Sequence, residues 1–233
     1  MTQPQLSVVV LAFNEVANLE AAVQEITAQL QALAVDHELL VVDDGSSDGT
    51  GALADALALQ TPHLRVIHHP HNLGLGGGYR TGFSQARGRF VTFFPADGQF
   101  PAAIIGQFLP RMDGCDMVLG YLPERHSSAI AKGLSYAERL LYRALFGAMP
   151  TFQGIMMFRR SMLAELPPLH SQGRGWAVQM ELILRAARGP YRIQTVPTTL
   201  RPRRAGESKV NNLRTIASNL RQVLALSRKI RRS

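Results

Sequence analysis

Four short apolar runs, each followed by a stretch with helical spacing, limit what this chain can fold into. The runs are Leu6 to Phe13, Glu38 to Val42, Leu64 to His68 and Arg89 to Phe94. Between them lie Glu15 to Leu33, with Asn14 as its N-cap, then Gly51 to Leu59 and Gly77 to Ala86. Apolar runs of this length read as buried strands. Strands that alternate with helices settle into a mostly parallel sheet covered on both faces. With 233 residues, 46% of them hydrophobic, the chain can bury one substantial core. The pattern continues with strands at Met117 to Gly120, Gly154 to Arg159 and Tyr191 to Val196. Helical stretches are read at Ala129 to Phe146, Trp176 to Arg188 and Asn211 to Arg232. No internal repeat or low-complexity segment interrupts the chain.

Several function classes drop out at once. The lone cysteine, Cys115, rules out a disulfide framework or a thiolate metal site and suits a reducing compartment. The first apolar run, Val8 to Phe13, is too short for a secretory signal and lacks a basic leader. No run approaches the ~18 apolar residues of a membrane span. A cytoplasmic protein is expected. The formal charge of +8 points to an anionic partner. From Arg201 onward ten Lys or Arg stand against one acid, Glu207, so the basic character sits largely in the tail. No Phe, Tyr or Trp follows Arg192, which removes the aromatic platforms of a single-stranded nucleic-acid binder.

The polar strand ends carry the chemistry. Asp43-Asp44-Gly45-Ser46-Ser47-Asp48-Gly49-Thr50 follows the second strand, at the sheet edge where open α/β sheets bind ligands. The same residues would also serve a plain strand–turn–helix connection. The glycine-rich His71 to Gly78 fails the dinucleotide fingerprint in both spacing and position, and no P-loop pattern occurs. It remains a turn at a helix N-terminus, suited to a ligand or simply to turning the chain. Pro95-Ala96-Asp97-Gly98-Gln99 closes the fourth strand. With the Asp43-Asp44 pair on a neighbouring strand it offers an oxygen-rich site for Mg²⁺ or Mn²⁺ holding a diphosphate; the alternative is another Asp-Gly turn. His68, His69 and His71 do not form a metal site on this reading. Adjacent strand residues point to opposite faces, and Pro70 interrupts the set.

In chain order these pieces resemble the family-2 glycosyltransferases of the GT-A fold, especially the polyprenyl-phosphate group typified by dolichol-phosphate mannose synthase. Val10 to Asn18 is similar to the first-strand motif P-A-[YF]-N-E-x-x-N, and Val41 to Thr50 to V-D-D-G-S-x-D-x-T. Asn72 to Gly76, Gly82 and Ala86-Arg87-Gly88 match N-x-G-x-G…G…A-x-G. Asp97-Gly98-Gln99 falls where D-x-D-x-Q ends, and Arg203 to Lys209 resembles R-x-x-G-x-S-K. The resemblance implies an α/β GT-A domain over residues 1–208, a Rossmann-like, mostly parallel sheet flanked by helices. A basic amphipathic C-terminal helix over 209–233 then meets the cytoplasmic face of a membrane.

By the same resemblance Phe13, Glu15, Asp43 and Asp44 line the nucleotide pocket, and Asp97 and Gln99 hold the Mg²⁺ or Mn²⁺ that bridges the donor diphosphate. Arg125 is the arginine expected on a donor or acceptor phosphate. Arg203, Ser208 and Lys209 are expected on the phosphate of the lipid acceptor. Two departures stand out. Pro95 occupies the first aspartate of D-x-D, which removes one potential ligand, and Pro150 to Ile155 replaces the usual D-x-x-S-G-F.

An acceptor hydroxyl would need a general base, whereas a lipid monophosphate is already an anion and needs only positioning and charge shielding. Glu181 is the nearest base candidate; its other reading is a helix carboxylate paired with Arg185 at i+4. The expected reaction is inverting transfer of one hexose from a nucleotide sugar of the GDP-mannose or UDP-glucose type to a polyprenyl phosphate. The rivals are transfer to a carbohydrate or glycolipid hydroxyl with Glu181 near the base position, and a non-catalytic sugar-nucleotide-binding relative. In the tail, Leu213, Ile216, Ala217, Leu220, Val223 and Leu224 form an apolar stripe bordered by Arg214, Arg221 and Arg228. The stripe suits an interfacial helix on an anionic membrane, or a terminal helix docked on the core.

Overall fold

The structure, a computed structural model, describes residues 3–123, 145–147, 149–203, 224 and 226–227. Its centre is a seven-stranded sheet: β1 (Leu6–Ala12), β2 (His37–Asp43), β3 (Leu64–His68), β4 (Phe90–Pro95), β5 (Met117–Tyr121), β6 (Met156–Arg159) and β7 (Ile193–Pro197). The spatial order is β3-β2-β1-β4-β6-β5-β7. The pairs β1–β2, β2–β3, β1–β4 and β5–β7 are parallel, while β6 runs antiparallel between β4 and β5. The expected mostly parallel sheet is therefore present. The antiparallel insertion of β6 is a feature that apolar periodicity does not reveal.

Helix placement follows from crossover handedness. The chain steps from β1 to β2 to β3 in one direction, through α1 (Leu19–Ala32) and α2 (Thr50–Gln60). It then returns across β1 through α3 (Gly74–Gln85) to pair β4 on the other side. Right-handed crossovers put helices on opposite faces when the direction of travel reverses. Two separate apolar layers result. One packs Val8, Val10, Leu39, Val41, Phe90 and Phe94 against Leu19, Val23, Ile26 and Leu30 of α1, and against Ile104, Ile105 and Phe108 from α4 (Ile104–Phe108). The other packs Val9, Leu40, Val42, Val91 and Phe93 against Tyr79 of α3. After α5 (Met162–Glu165), helix α6 (Ala177–Arg188) joins that second layer through Val178, Leu182, Ile183 and Ala186. Strand residues alternate between the layers, as a two-residue period requires.

Two helix starts differ from the sequence expectation. Helix α1 begins at Leu19 with Asn18 as its N-cap position, not at Glu15 behind Asn14. Asn14 sits at φ 51°, and the amides after it are satisfied elsewhere. Asn14 N donates to Ser46 Oγ, Glu15 N to Thr50 Oγ1 and Val16 N to Asp48 Oδ2. These bonds tie the loop after β1 to the loop after β2 and delay the first helical turn. Helix α3 begins three residues early, at Gly74, whose amide is held by the Asp44 carboxylate.

Candidate active site

The sheet reverses its strand order at β1, so the crevice beyond the C-terminal ends of β1 and β4 is the topological switch point where such sheets bind ligands. Phe13 and Glu15 follow β1, and Asp97 and Gln99 follow β4. Because β6 is antiparallel, its N-terminal approach through Gly154 and Ile155 reaches the same edge, where Gly120 N donates to Ile155 O at 2.8 Å.

Asp43 and Asp44 are adjacent in sequence but face opposite layers, and β1 lies between β2 and β4. The Asp-Asp pair therefore ends a strand one removed from that of Asp97, where the sequence expectation put it on a neighbouring strand. Asp43 points toward α2. Its carboxylate accepts Ser46 N at 3.1 Å and His68 Nδ1 at 3.0 Å, with the Ser46 hydroxyl also bonded to it. Burial alone would raise the Asp43 pKa, but the bonds from Ser46 and His68 outweigh it and hold the carboxyl below its ordinary value. Asp44 points toward α3. Its Oδ1 accepts His69 Nδ1 at 2.7 Å and Leu73 N at 2.8 Å; its Oδ2 accepts Asn72 Nδ2 at 2.9 Å and Gly74 N at 2.8 Å. An ionised carboxylate has about four lone-pair sites. Those of Asp44 are filled by the protein, and it caps the N-terminal end of α3.

That cap decides the role of the glycine-rich turn. With Asp44 on the amides of Leu73 and Gly74, the positive end of α3 is already neutralised by a carboxylate. The glycines meet backbone. A Cβ on Gly74 would lie 2.5 Å from Arg174 O, and one on Gly76 would strike Gly173 O and lie 2.7 Å from Gly175 O. Arg174 bonds Asn72 through its guanidinium, and its carbonyl accepts Gly76 N at 2.9 Å. The turn thus serves as the seat for the loop entering α6. Gly45, at φ 69°, turns the chain away from β2, and a Cβ there would lie 2.5 Å from His71 C.

At the other side of the crevice the segment after β7 straps the β4 end. Arg201 N donates to Gln99 O at 2.8 Å, and Gln99 Nε2 reaches Arg201 O at 3.4 Å. The Arg201 guanidinium holds both oxygens of Glu25 on α1 at 3.0 Å. Asp97, half-buried, accepts Gln99 N at 3.1 Å. Arg203 forms an ion pair with Glu15, whose Oε2 also accepts Asn18 Nδ2 at 2.7 Å. The strap therefore brings Arg203, Glu15, Gln99 and Asp97 to one edge of the sheet.

Glu181 has a different environment. It lies fully buried on α6. Its carboxylate accepts His170 N at 2.9 Å, Ser171 N at 2.8 Å, and Arg185 Nε and Nη2 at 3.0 and 2.6 Å. The i+4 pairing with Arg185 is present, and donors from the protein occupy the carboxylate named as the base candidate. A second contact from His170 N, to Oε2 at 3.0 Å, brings the bonds enclosing this carboxylate to five.

Arg125, Ser208, Lys209, the expected 211–232 helix and the 129–146 helix apart from residues 145 and 146 lie outside the described residues, residues 224, 226 and 227 excepted. Sequence reasoning set His68 aside as a failed metal ligand and so missed its bond to Asp43. The contact depends on the parallel register of β2 and β3, which places Asp43 opposite His68 and which the sequence pattern does not specify.

The profile of Glycosyl transferase family 2 matches residues 7–166, more than half of the chain. The chain belongs to that family. Within it, this glycosyltransferase is 31% identical over 229 residues to the polyprenol monophosphomannose synthase of Mycolicibacterium smegmatis, covering 93% of this chain and 83% of the relative. It is 28% identical to the dolichol-phosphate mannosyltransferase of Saccharomyces cerevisiae, over 95% of this chain and 86% of that one. These likenesses place the enzyme in the dolichol-phosphate mannose synthase-like group. Its fold is GT-A. The glucosyl-3-phosphoglycerate synthase of Mycobacterium tuberculosis superposes with a TM-score of 0.66 at 22% identity, over 96% of this chain and 79% of that one. The mannosyl-3-phosphoglycerate synthase of Rubrobacter xylanophilus gives 0.68 at 19% identity, over 99% and 76%.

Proposed function

We propose that this glycosyltransferase moves one hexose from a nucleotide sugar, of the GDP-mannose or UDP-glucose type, to a polyprenyl phosphate by a single inverting displacement. Relatives named for polyprenol and dolichol phosphate mannosylation cover more than nine-tenths of the chain, which supports both the acceptor class and mannose as the first sugar to test. The structural observation that favours a phosphate acceptor over a hydroxyl is the sealed state of Glu181. A hydroxyl acceptor needs a base near the anomeric carbon; an ionised phosphate does not.

In this reading an acceptor phosphate oxygen forms the new bond to the anomeric carbon as the bond to the donor diphosphate breaks. The nucleoside diphosphate leaves with the electron pair, and no proton has to move. Phe13, Glu15 and Asp43 are assigned to the nucleotide side of the crevice. Asp44 acts through the turn it holds. Arg203 is assigned to the acceptor phosphate, for which it would exchange its Glu15 partner; Ser208, Lys209 and Arg125 are assigned by resemblance alone.

Among the described residues, no group of three His, Cys, Asp or Glu side chains converges to hold a metal. A divalent cation such as Mg²⁺ commonly takes one or two carboxylates, with substrate phosphates and water completing the shell. Asp97, with Gln99 beside it, fits that mode, and Pro95 in place of a second carboxylate leaves more of the shell to the donor. A bound Mg²⁺ or Mn²⁺ would offset charge on the departing diphosphate. One solved structure of the M. tuberculosis neighbour contains Mn²⁺ with UDP-glucose.

No helix among the described residues is long and apolar enough to cross a membrane. We assign a peripheral position on the cytoplasmic face of an anionic membrane, where a polyprenyl chain can present its phosphate. The test is a donor panel of GDP-mannose, UDP-glucose and UDP-GlcNAc, each with and without polyprenyl phosphate and Mn²⁺. Hexose is expected on the lipid phosphate only, and metal-dependent turnover should be lost in Asp97→Ala. Transfer to a sugar hydroxyl without lipid phosphate would overturn the acceptor, and full activity in Asp97→Ala would overturn the metal assignment.

A further inference from the structure

His68 stands between two carboxylates on different elements. Its Nδ1 is 3.0 Å from Asp43 Oδ2 on β2, and its Nε2 is 3.1 Å from Asp55 Oδ1 on α2. Ionised carboxylates only accept hydrogen bonds, so both contacts are made together only when both ring nitrogens carry protons. Among the described residues, Asp43 and Asp55 are the charged groups bonded to this ring. His69, the next residue, turns to Asp44 and Thr81 in the opposite layer. The contact is closely built: a Cβ on Gly51 would lie 2.7 Å from Asp43 Oδ2 and 3.3 Å from His68 Nδ1. The hydrogen bonds that His68 donates to Asp43, first, and to Asp55 raise its pKa above the ordinary value of 6.5.

The two neighbouring aspartates differ in what they can still accept. Asp44 takes four donors. Asp43 takes the Ser46 amide and hydroxyl and His68, which leaves acceptor capacity on a carboxylate at the end of β2. We propose that His68 is a positioning residue for donor binding: doubly protonated between Asp55 and Asp43, it fixes the Asp43 carboxylate to accept an N–H from the edge of the donor's nucleobase. Uracil and guanine both present such an N–H. The proposal rests on Asp43 belonging to the nucleotide pocket. Its consequence is a pH-dependent donor affinity, full while His68 is charged and weakened as pH rises through the His68 pKa in the folded protein.

The experiment is calorimetric binding of GDP and of UDP across neutral to alkaline pH, with thermal melting to confirm each variant is folded. His68→Asn places an uncharged amide N–H near the Nδ1 position and does not titrate; it should bind at the alkaline wild-type level at every pH, with a flat profile. His68→Gln reaches toward Asp55 instead and should weaken binding at every pH by about tenfold, the scale of one lost charge-assisted hydrogen bond. Asp55→Asn should move the loss of affinity to lower pH. An unchanged pH profile in His68→Asn, or unchanged affinity in His68→Gln, overturns the role of His68. Unchanged affinity in Asp43→Asn overturns the placement of Asp43 in the nucleotide pocket itself, so the two failures are separable.

Discussion

Replacing Glu181 with glutamine separates a structural carboxylate from a catalytic one. The side chain is fully buried, and the Arg185 side chain beside it is 9% exposed. Glutamine keeps the shape but exchanges one acceptor oxygen for a donating NH₂ group. That group must face either Arg185 or the amides of His170 and Ser171, and all of these are donors. The guanidinium also loses its counter-charge. Breaking a buried ion pair from one side costs about 3–5 kcal/mol. For a chain of this size each kcal/mol shifts Tm by roughly 2–4 °C, so a fall of about 6–20 °C is expected. Activity of the folded fraction, assayed well below the new Tm, should stay near wild type. The measurements are thermal unfolding by circular dichroism and initial rates with saturating donor and acceptor. An unchanged Tm with activity down by roughly 10²-fold or more, the contribution of a general base, would refute the structural reading. A pH series adds a second check. Burial by itself would raise the Glu181 pKa, but bonds from His170, Ser171 and Arg185 hold it below the ordinary 4.5. Its stabilisation is therefore present above pH 4.5 and is lost as pH falls through the lower pKa of the folded state, so the gap between wild type and Glu181→Gln should narrow in acid.

Two further substitutions test the seat of α3. Gly76→Ala pushes a methyl into the carbonyls of Gly173 and Gly175, and overpacking of this kind should cost about 1–3 kcal/mol, read as a lowered Tm, with nucleotide affinity falling only if the 173–175 loop supports the crevice. Asp44→Asn turns two of the four acceptor positions toward existing donors; it should lower stability by about 1–3 kcal/mol. Asp43→Asn should instead act chiefly on nucleoside diphosphate binding, measured by calorimetry beside Asp44→Asn.

Much of the architecture is legible in the sequence. The apolar runs at Leu6, Glu38, Leu64 and Arg89 became β1 to β4 within a residue or so, because burial on both faces of a parallel strand leaves a continuous apolar stretch. The order of polar strand ends placed Phe13, Glu15, Asp97 and Gln99 at one sheet edge, since every parallel strand ends there. Asn14 was misread because a side chain suited to capping met a loop that supplied other partners for the backbone amides. Glu181 carried both of its readings in the sequence, and its burial, which only the fold reveals, favours the pairing with Arg185.

Local pattern alone carried the alternation of strand and helix, the five ordered motifs and, through them, the family. These are properties of local periodicity and turn chemistry, which the chain carries in any conformation. Which groups each carboxylate meets came only with the folded sheet. Strand alternation turned Asp43 and Asp44 to opposite layers, and β1 stands between their strand and that of Asp97. Parallel register set His68 against Asp43, and the returning strap set Arg203 on Glu15. Each of those contacts joins residues at least 25 positions apart. No local pattern encodes such a contact, because it exists only once the sheet has fixed which strand ends meet.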